Sequence, residues 1–407
     1  MSSPAKETSP APAESKPAES KPAESPAAAS SPASPRAASP LAAASSPASP
    51  RAASPPAAAS PSAQPAATSA ESSYPSDILP GQHWTQQQAI LSNDSDSSYD
   101  SEIASSTNSL TSSILAYRTI HGRTYHSDRT PSEYWGPNDE KQIECMDIIH
   151  HALTLIQDGK LYQAPLDTTK VEKVLDVGTG TGIWAIDFAD MHPEAEVVGT
   201  DISPIQPSWV PPNVFFEIED MTQPWTFREN SFDYVHMRYL YGSVPDWNQL
   251  FREAYRVVKP GGWIESLEAD AAVVCDDGTV KEGSALDQWG KVYREGGKKF
   301  GKTFWPVTDN VQQPGIEAAG FTNVVVKDIK APLTAWPADP KQAEMGAYAH
   351  LALEQDSEGL IQWVFMQIMG WTKPEVQAFV AHVRRELRDK SIHPLVNLRV
   401  VYAQKPL

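Results

Sequence analysis

Apolar and polar residues follow two distinct patterns along the C-terminal two thirds of the chain. Short runs rich in β-branched residues predict strands, and four of them come first, at residues 171–176, 195–203, 213–220 and 230–240. Apolar residues spaced three and four apart predict helices at 138–158, before the first strand, and at 247–258, after the fourth. This alternation is typical of a parallel sheet with helices on both faces.

The same two patterns continue to the end of the chain. A Lys-Pro-Gly-Gly turn at 259–262 leads into a fifth strand, and two more strands are predicted at 320–332 and 396–406. Helices are predicted in the intervals, at residues 284–300, 309–319, 340–369 and 373–390. We therefore expect an α/β, Rossmann-like sheet of seven strands, with a helical cap inserted at 334–392 between the last two strands.

The N-terminal quarter has a different composition. Residues 1–75 are largely Ala, Pro and Ser with short repeats and bury too little apolar surface to offset the entropy of folding, so we expect a disordered tail. Residues 76–113 are acidic and serine-rich and are expected to form a solvated linker, which places the folded domain at 114–407. Ser34 and Ser49, each followed by Pro-Arg, suit proline-directed kinases, or they belong to an unmodified linker.

Charge and cysteine content argue against several classes of function. A formal net charge of −18 disfavours a broad electrostatic grip on DNA or RNA, and the basic stretches at 291–302 and 384–390 are typical of solvated helix faces. Cys145 and Cys275, without a C-x-x-C pair, favour neither a disulfide framework nor a zinc site. The sequence contains no apolar leader and no apolar run of about 18 residues. We expect an intracellular protein, in the cytoplasm or the nucleus, without a metal or membrane contact.

Three glycines follow the first strand at alternate positions. The strand ends on Asp176, and the next turn carries Gly178, Gly180 and Gly182. Ligands of open α/β sheets bind beyond the carboxyl ends of the strands, where glycine lets the backbone approach them. The third glycine of a dinucleotide motif would stand at Ile183, and no phosphate-loop lysine follows the turn. An open turn that follows an acidic residue favours a ligand with a zwitterionic amino-acid group over one with a pyrophosphate. Alternatively, the glycines of such a turn are needed only for packing.

The next two strands also end on acidic residues. Asp201 lies at the distance from the glycines at which a carboxylate meets a ribose diol, or else it caps a helix ahead of Pro204. The third strand ends on Asp220 and Met221, where a carboxylate suits the amino group of adenine, and Met221 and Trp225 supply apolar walls. Together these positions indicate a nucleoside that carries an amino-acid group.

These motifs together resemble a known family. VLDVGTGTG, the strand end at Asp201, Glu219-Asp220-Met221 and the KPGG turn are similar to the motif series of class I S-adenosylmethionine-dependent methyltransferases. GRTYHSD at 122–128, SFDYVHMRYL and the Trp-rich C-terminal part resemble the fungal LaeA-like methyltransferases of secondary metabolism, over about residues 115–407. The resemblance implies a last strand that runs antiparallel, S-adenosylmethionine as cofactor, and transfer of its methyl group to an acceptor.

The resemblance also implies roles for single residues. The cofactor would be held at its methionine end by Asp176, Gly178, Gly180 and Gly182, at its ribose by Asp201, and at its adenine by Asp220 and Met221. A base is needed only when the acceptor starts protonated, and the loop after the fourth strand should border it. His236 is the candidate base by its ordinary pKa, or it is a buried histidine with satisfied hydrogen bonds. Glu268 is the other candidate, or an ordinary solvent-facing acid.

Aromatic residues flank this predicted site. Tyr125, Tyr134 and Trp135 precede the first predicted helix and either close the site or pack that segment onto the domain. The aromatic and Met residues of the cap favour a core over a pocket, because such residues at helical spacing are usually buried; they include Trp336, Tyr348, Trp363, Phe365, Met366, Met369 and Trp371.

Three functions fit these observations. The first is a tailoring methyltransferase for a small-molecule metabolite, which predicts a deep apolar cavity beside the methyl donor. The second is a LaeA-like nuclear regulator that acts through protein partners, which the N-terminal tail could contact, or by methylating a protein. The third is a non-catalytic interaction module that binds S-adenosylmethionine, which the intact glycine turn and acidic positions disfavour.

Overall fold

The computed structural model describes residues 75–91, 117–127 and 132–407. Residues 1–74 of the predicted tail, including Ser34 and Ser49, lie outside the described residues. Residues 92–113 of the predicted linker lie outside them as well. Within the described ranges, no helix is long and apolar enough to cross a membrane. The same ranges contain no cluster of His, Cys, Asp and Glu that could hold a metal ion.

In the described ranges, seven strands form one mixed sheet and two more form a separate hairpin. The strands are β1 (Arg118–Ile120), β2 (Arg123–Tyr125), β3 (Lys173–Val177), β4 (Glu196–Asp201), β5 (Val214–Ile218), β6 (Phe232–Arg238), β7 (Val258–Ala269), β8 (Thr322–Pro332) and β9 (Leu395–Gln404). The sheet order is β5-β4-β3-β6-β7-β9-β8. Neighbours from β5 to β7 pair in parallel, whereas β9 runs antiparallel to both β7 and β8. The predicted sheet with its antiparallel last strand is confirmed.

Helices cover both faces of this sheet. They are α1 (Gly81–Leu91), α2 (Glu140–Ile156), α3 (Ile183–Met191), α4 (Trp247–Val257), α5 (Ala285–Phe300), α6 (Gln312–Ala319), α7 (Pro340–Gln362) and α8 (Lys373–Arg388), with a π-helical turn at Trp363–Ile368. Successive residues of a strand face opposite sides of the sheet. Val174 of β3 packs in one core with Trp184 of α3, whereas Leu175 packs in another with Phe251 of α4. The predicted layers are therefore present.

An ion-pair network ties α2 to the hairpin and to the cap. Asp139 caps α2 by accepting the N–H of Gln142. Arg123 of β2 donates to both carboxylate oxygens of Asp139 (2.5 and 2.7 Å) and to both of Asp356 (2.8 and 2.7 Å). Asp356 is fully buried at a kink in α7. A buried carboxylate such as Asp356 destabilises the fold unless a cation pairs with it, so Arg123 is required there. The network therefore holds the hairpin, α2 and α7 together at one point.

Helix α1 corrects the expected extent of the folded part. It lies within residues 76–113, which the sequence analysis assigns to a solvated linker. Trp84 of α1 is 2% exposed and packs edge-on against Phe379 (5.0 Å between ring centroids) and beside His382 of α8. A single buried tryptophan stabilises a segment whose average composition is polar, which explains why the composition misses it. The hairpin β1–β2 is also absent from the predicted elements.

Candidate active site

One cavity lies at the carboxyl ends of β3, β4 and β6 and beside the end of β5. Six of the seven residues predicted to bind a cofactor line it: Asp176, Gly178, Gly180, Asp201, Asp220 and Met221. We call it the strand-end cavity. Gly182 does not line it. It stands at the start of α3 with φ of +81°, and a Cβ there would lie 2.3 Å from the Phe216 ring, so packing and backbone conformation require this glycine.

The glycine turn is held against the neighbouring strand. Gly178 and Gly180 have φ of +68° and +58°, a conformation that L side chains rarely adopt. The N–H of Gly180 donates to Oδ2 of Asp201 (2.9 Å), and the N–H of Thr179 donates to the Thr200 carbonyl (2.9 Å). The turn therefore presents its backbone to the cavity in a fixed orientation.

Asp201 lies at the end of β4, where no helix follows, so the alternative of a helix cap is wrong. Besides the N–H of Gly180, its carboxylate accepts the N–H of Ser203 (2.9 Å). Burial raises the pKa of Asp201 to about 6, against the opposite effect of its backbone N–H donors. A carboxylate whose pKa is strongly shifted and which lines a cavity is a candidate ligand-binding group.

Asp220 has one satisfied and one unsatisfied oxygen. Its Oδ1 accepts from Ser132 Oγ (2.9 Å), from Thr222 Oγ1 (2.8 Å) and from the N–H of Thr222 (3.0 Å). Its Oδ2 is buried and has no hydrogen-bond partner among the described residues. A buried acceptor without a donor costs free energy, which a ligand N–H would recover. Met221 lines the cavity, whereas Trp225 packs in the core and donates Nε1–H to the Met221 carbonyl (3.1 Å).

His236 lies inside β6 and does not line the cavity. It is 1% exposed, and its Nδ1 lies 2.8 Å from Oδ1 of Asp176, to which it donates because a carboxylate only accepts. Its ring stacks on Trp184 at 3.7 Å and 3°, and Thr179 Oγ1 donates to the other oxygen of Asp176 (2.6 Å). Burial lowers the pKa of His236. Of the two alternatives, this geometry is that of a buried, satisfied histidine.

Glu268 fits neither alternative proposed from the sequence. It is fully buried, so it is not a solvent-facing acid, and it does not line the cavity. Its two oxygens accept the backbone N–H groups of Leu240 (3.0 Å) and Tyr241 (3.1 Å). Burial raises the pKa of Glu268 to about 8, against the effect of those two donors. The side chain therefore holds the loop that follows β6.

That loop, which the sequence analysis expects beside the methyl acceptor, supplies several walls of the strand-end cavity. Arg238, Tyr239, Leu240 and Tyr241 all line it. Tyr239 has φ of +55°, an uncommon conformation for a non-glycine residue. Such backbone strain persists only where the surroundings hold it, and it is frequent at functional sites.

A second cavity lies under the cap and shares a wall with the first. We call it the cap cavity, and its shared wall consists of Trp135, Ile149, Leu153, Tyr239, Tyr241 and Leu360. Among the described residues, the only charged side chain that lines it is Asp270. The Asp270 carboxylate already accepts the N–H groups of Val307 and Thr308 and the hydroxyl of Thr308. The cap cavity is therefore an apolar space beside a polar one.

The aromatic residues divide between the cavities and the core. Tyr134 and Trp135 line the strand-end cavity, whereas Tyr125 is fully buried against Trp363. The seven aromatic and Met residues named for the cap line neither cavity; the cap contributes smaller aliphatic residues, among them Ala349, Leu353 and Val383. Ser132 and His150 also line the strand-end cavity, although neither is predicted from the sequence. No motif marks them, because tertiary contacts alone bring them there.

Comparisons with known proteins agree with this geometry. Residues 144–311 match the family described as a methyltransferase domain. Methyltransferase pytC of Aspergillus terreus is 37% identical over 303 residues, which cover 74% of this chain and 92% of pytC. The secondary metabolism regulator LAE1 of Cochliobolus heterostrophus is 36% identical over 292 residues, covering 70% of this chain and 94% of LAE1.

Two further matches are more distant. The protein-methionine methyltransferase laeA of Emericella nidulans is 33% identical over 291 residues, covering 70% of this chain and 76% of laeA. Phosphoethanolamine N-methyltransferase 2 of Haemonchus contortus, solved with phosphomonomethylethanolamine and S-adenosylhomocysteine, aligns at 17% identity with a TM-score of 0.40, covering 66% of this chain and 58% of that chain. A structural similarity this low says nothing about the substrate. The sequence relatives decide the family: the chain belongs to the S-adenosylmethionine-dependent methyltransferases of the LaeA and pytC type, which are linked to secondary metabolism.

Proposed function

We propose that the strand-end cavity binds S-adenosylmethionine and that its methyl group passes to a small, apolar metabolite in the cap cavity. The observation that carries this proposal is the wall shared by an acid-lined cavity and an apolar one. When bound, the cofactor supplies a methyl group already activated as a sulfonium. The protein therefore contributes mainly alignment and the exclusion of water.

The residues present fit each part of the cofactor. The unpartnered Oδ2 of Asp220 suits the amino group of adenine, beside the apolar side chain of Met221. Asp201 suits the ribose hydroxyls, which would add to its two backbone donors. Asp176, Gly178 and Gly180 border the space left for the amino-acid end.

We assign positioning roles to His236 and Glu268. His236 orients the Asp176 carboxylate, and Glu268 holds the backbone of Tyr241 on the shared wall. Neither side chain lines either cavity, so neither is within reach of an acceptor proton. The side chains of Tyr239 and Tyr241 on the shared wall are the groups best placed to orient an acceptor between the two cavities.

Labelled cofactor tests the kind of acceptor. The full chain is incubated with S-adenosylmethionine that carries an isotopic methyl group and with a cell extract, and the products are separated into protein and small molecules. We expect label in the small-molecule fraction. Label found only in protein would contradict the metabolite proposal and support the second candidate function below.

A variant of Asp220 tests the adenine assignment. Asp220→Ala removes the acceptor of the amino group, so S-adenosylhomocysteine should bind roughly tenfold more weakly, the effect of one hydrogen bond to a charged group. S-inosylhomocysteine, which lacks that amino group, should bind the variant and the parent protein more equally. Titration calorimetry measures both. An equal loss for the two ligands would place the adenine elsewhere.

A second candidate is regulation through protein partners, in the nucleus, because several relatives of similar identity are named as regulators of secondary metabolism. It predicts that loss of the N-terminal segment removes a cellular effect without loss of methyl transfer. The deletion should end before residue 75, because Trp84 of α1 packs on α8. Deletion of residues 1–70 that leaves both properties intact would contradict a role for the tail.

A further inference from the structure

Arg238 lies in an acid-lined cavity but has no carboxylate partner among the residues that the structure describes. It is the only Lys or Arg among the described residues that line the strand-end cavity, whereas Glu133, Asp176, Asp201, Glu219 and Asp220 all line it. No carboxylate oxygen of the described residues lies within 4.0 Å of its guanidinium nitrogens. Burial lowers the pKa of Arg238, yet an arginine stays protonated in proteins. The charges of Asp176 and Asp187 partly offset this effect of burial on the pKa, but neither carboxylate forms an ion pair with the partly buried guanidinium.

The guanidinium is held in position by a neutral histidine. Nη2 of Arg238 lies 2.7 Å from Nδ1 of His150, and because arginine only donates, Nδ1 of His150 must accept. The other ring nitrogen then carries the proton, which it donates to Oδ2 of Asp187 on α3 (2.9 Å). Burial and the charge of Arg238 both lower the pKa of His150, in agreement with a neutral ring. These two hydrogen bonds, through His150 of α2 to Asp187 of α3, fix the guanidinium of Arg238 at the end of β6.

The same helix also contacts the glycine turn. Thr181 Oγ1 donates to Oδ1 of Asp147 (2.8 Å), and the sulfur of Met146 would lie 3.7 Å from a Cβ at Gly180. Helix α2 therefore positions Arg238 and borders the glycine turn at one end of the strand-end cavity. Arg238 does not line the cap cavity. An anion that pairs with it belongs to the ligand of the strand-end cavity and not to the acceptor.

We propose that Arg238 binds the α-carboxylate of the amino-acid end of the cofactor, with His150 as the residue that positions it. The remaining guanidinium N–H donors can form the paired hydrogen bonds that carboxylates make with arginine. This inference rests on the proposed function, since it requires that S-adenosylmethionine occupies the strand-end cavity.

Two ligands that differ in the amino-acid group test the inference. S-adenosylhomocysteine carries the carboxylate, whereas 5′-methylthioadenosine has the same nucleoside and lacks the amino-acid group. In Arg238→Met, we expect roughly tenfold to hundredfold weaker binding of S-adenosylhomocysteine, the effect of a charged hydrogen-bonded pair, and unchanged binding of 5′-methylthioadenosine. Arg238→Lys should recover part of the loss. Titration calorimetry on the full chain measures all dissociation constants.

Arg252→Met is the matched control, because Arg252 is an exposed cation on α4 that lines neither cavity. It should leave the affinity for both ligands unchanged. Equal losses for both ligands in Arg238→Met, or no loss for either, would overturn the assignment of the carboxylate. A parent protein that binds neither ligand would instead contradict the proposed function, so the two failures are distinguishable.

Discussion

The strand-end cavity and the cap cavity share a wall but are built in opposite ways. The strand-end cavity takes its polar groups from short motifs at the ends of consecutive strands: Asp176 and Asp201 lie in the last two residues of β3 and β4, and Asp220 lies just beyond β5. The cap cavity takes aliphatic residues from segments far apart in the chain, such as Leu153 of α2 and Val383 of α8. A local motif thus suffices to make a cofactor site, whereas the acceptor space depends on long-range packing.

The two cavities also differ in what they leave unsatisfied. Within the part of the chain that the structure describes, the buried Oδ2 of Asp220 has no donor and the Arg238 guanidinium has no paired carboxylate. Such groups destabilise a protein unless a ligand completes their interactions. Of the described residues that line the cap cavity, only Asp270 is charged, and backbone and hydroxyl donors already satisfy it. The first cavity therefore specifies its ligand by polar contacts, and the second by shape and apolar surface.

The largest expected effect is a loss of cofactor binding when the glycine turn of the strand-end cavity is altered. Gly180→Val places a β-branched side chain at φ of +58° and disturbs the N–H that donates to Asp201, so binding of S-adenosylhomocysteine should fall by roughly a hundredfold or more. Circular dichroism should remain that of a folded protein. Gly278→Val is the matched control, since Gly278 is exposed with φ of +71° and no atom near its Cβ position. Unchanged affinity in Gly180→Val would remove the turn from the cofactor site.

A smaller effect is expected from filling the cap cavity. Ala349 of α7 lines the cap cavity and not the strand-end cavity. Ala349→Trp should therefore lower the transfer of label to small molecules by roughly tenfold and leave the affinity for S-adenosylhomocysteine unchanged. Ala347→Trp, two residues earlier on the exposed side of α7, should change neither quantity. Normal transfer by Ala349→Trp would mean that the acceptor binds outside the cap cavity.

The smallest effect is a pH dependence confined to the strand-end cavity. The pKa of Asp201 is raised to about 6, so its ionised form, which accepts the ribose hydroxyls, is lost as pH falls through that value. Affinity for S-adenosylhomocysteine should fall about fourfold from pH 7.5 to pH 5.5 through this group. Asp201→Asn should bind more weakly at all pH values and lack that change. A parent protein with a flat profile over this range would contradict the role of Asp201.

Much of the strand-end cavity could be predicted because its residues lie at or just beyond the carboxyl ends of strands. The carboxyl ends of parallel strands meet at one edge of a sheet, so sequence position and spatial position agree there. Sequence position is less informative in the middle of a strand. Whether His236 faces a cavity or a helix depends on the register of β6, and neighbouring positions face opposite sides. Its stacking on Trp184 comes from a helix that the strand pattern alone does not place.

The formation of helix α1 and the burial of Glu268 could not be predicted from the sequence for a related reason. Trp84 stabilises α1 through contacts with α8, nearly three hundred residues later, and the local composition does not show this partner. Glu268 reads as an ordinary acid because its two backbone donors come from the loop after another strand. Both misses concern groups whose partners are remote in the chain.

Local sequence patterns are sufficient to predict the seven-stranded α/β sheet, the glycine turn and the acidic residues at three strand ends. These features depend on local periodicity and on the direction of parallel strands. By contrast, contacts between distant segments hold His236 and Glu268 away from the cavities, orient Arg238 through His150, and create the apolar space under the cap. The reason is physical: burial and hydrogen-bond partners are set by packing between distant segments, which local sequence patterns do not encode.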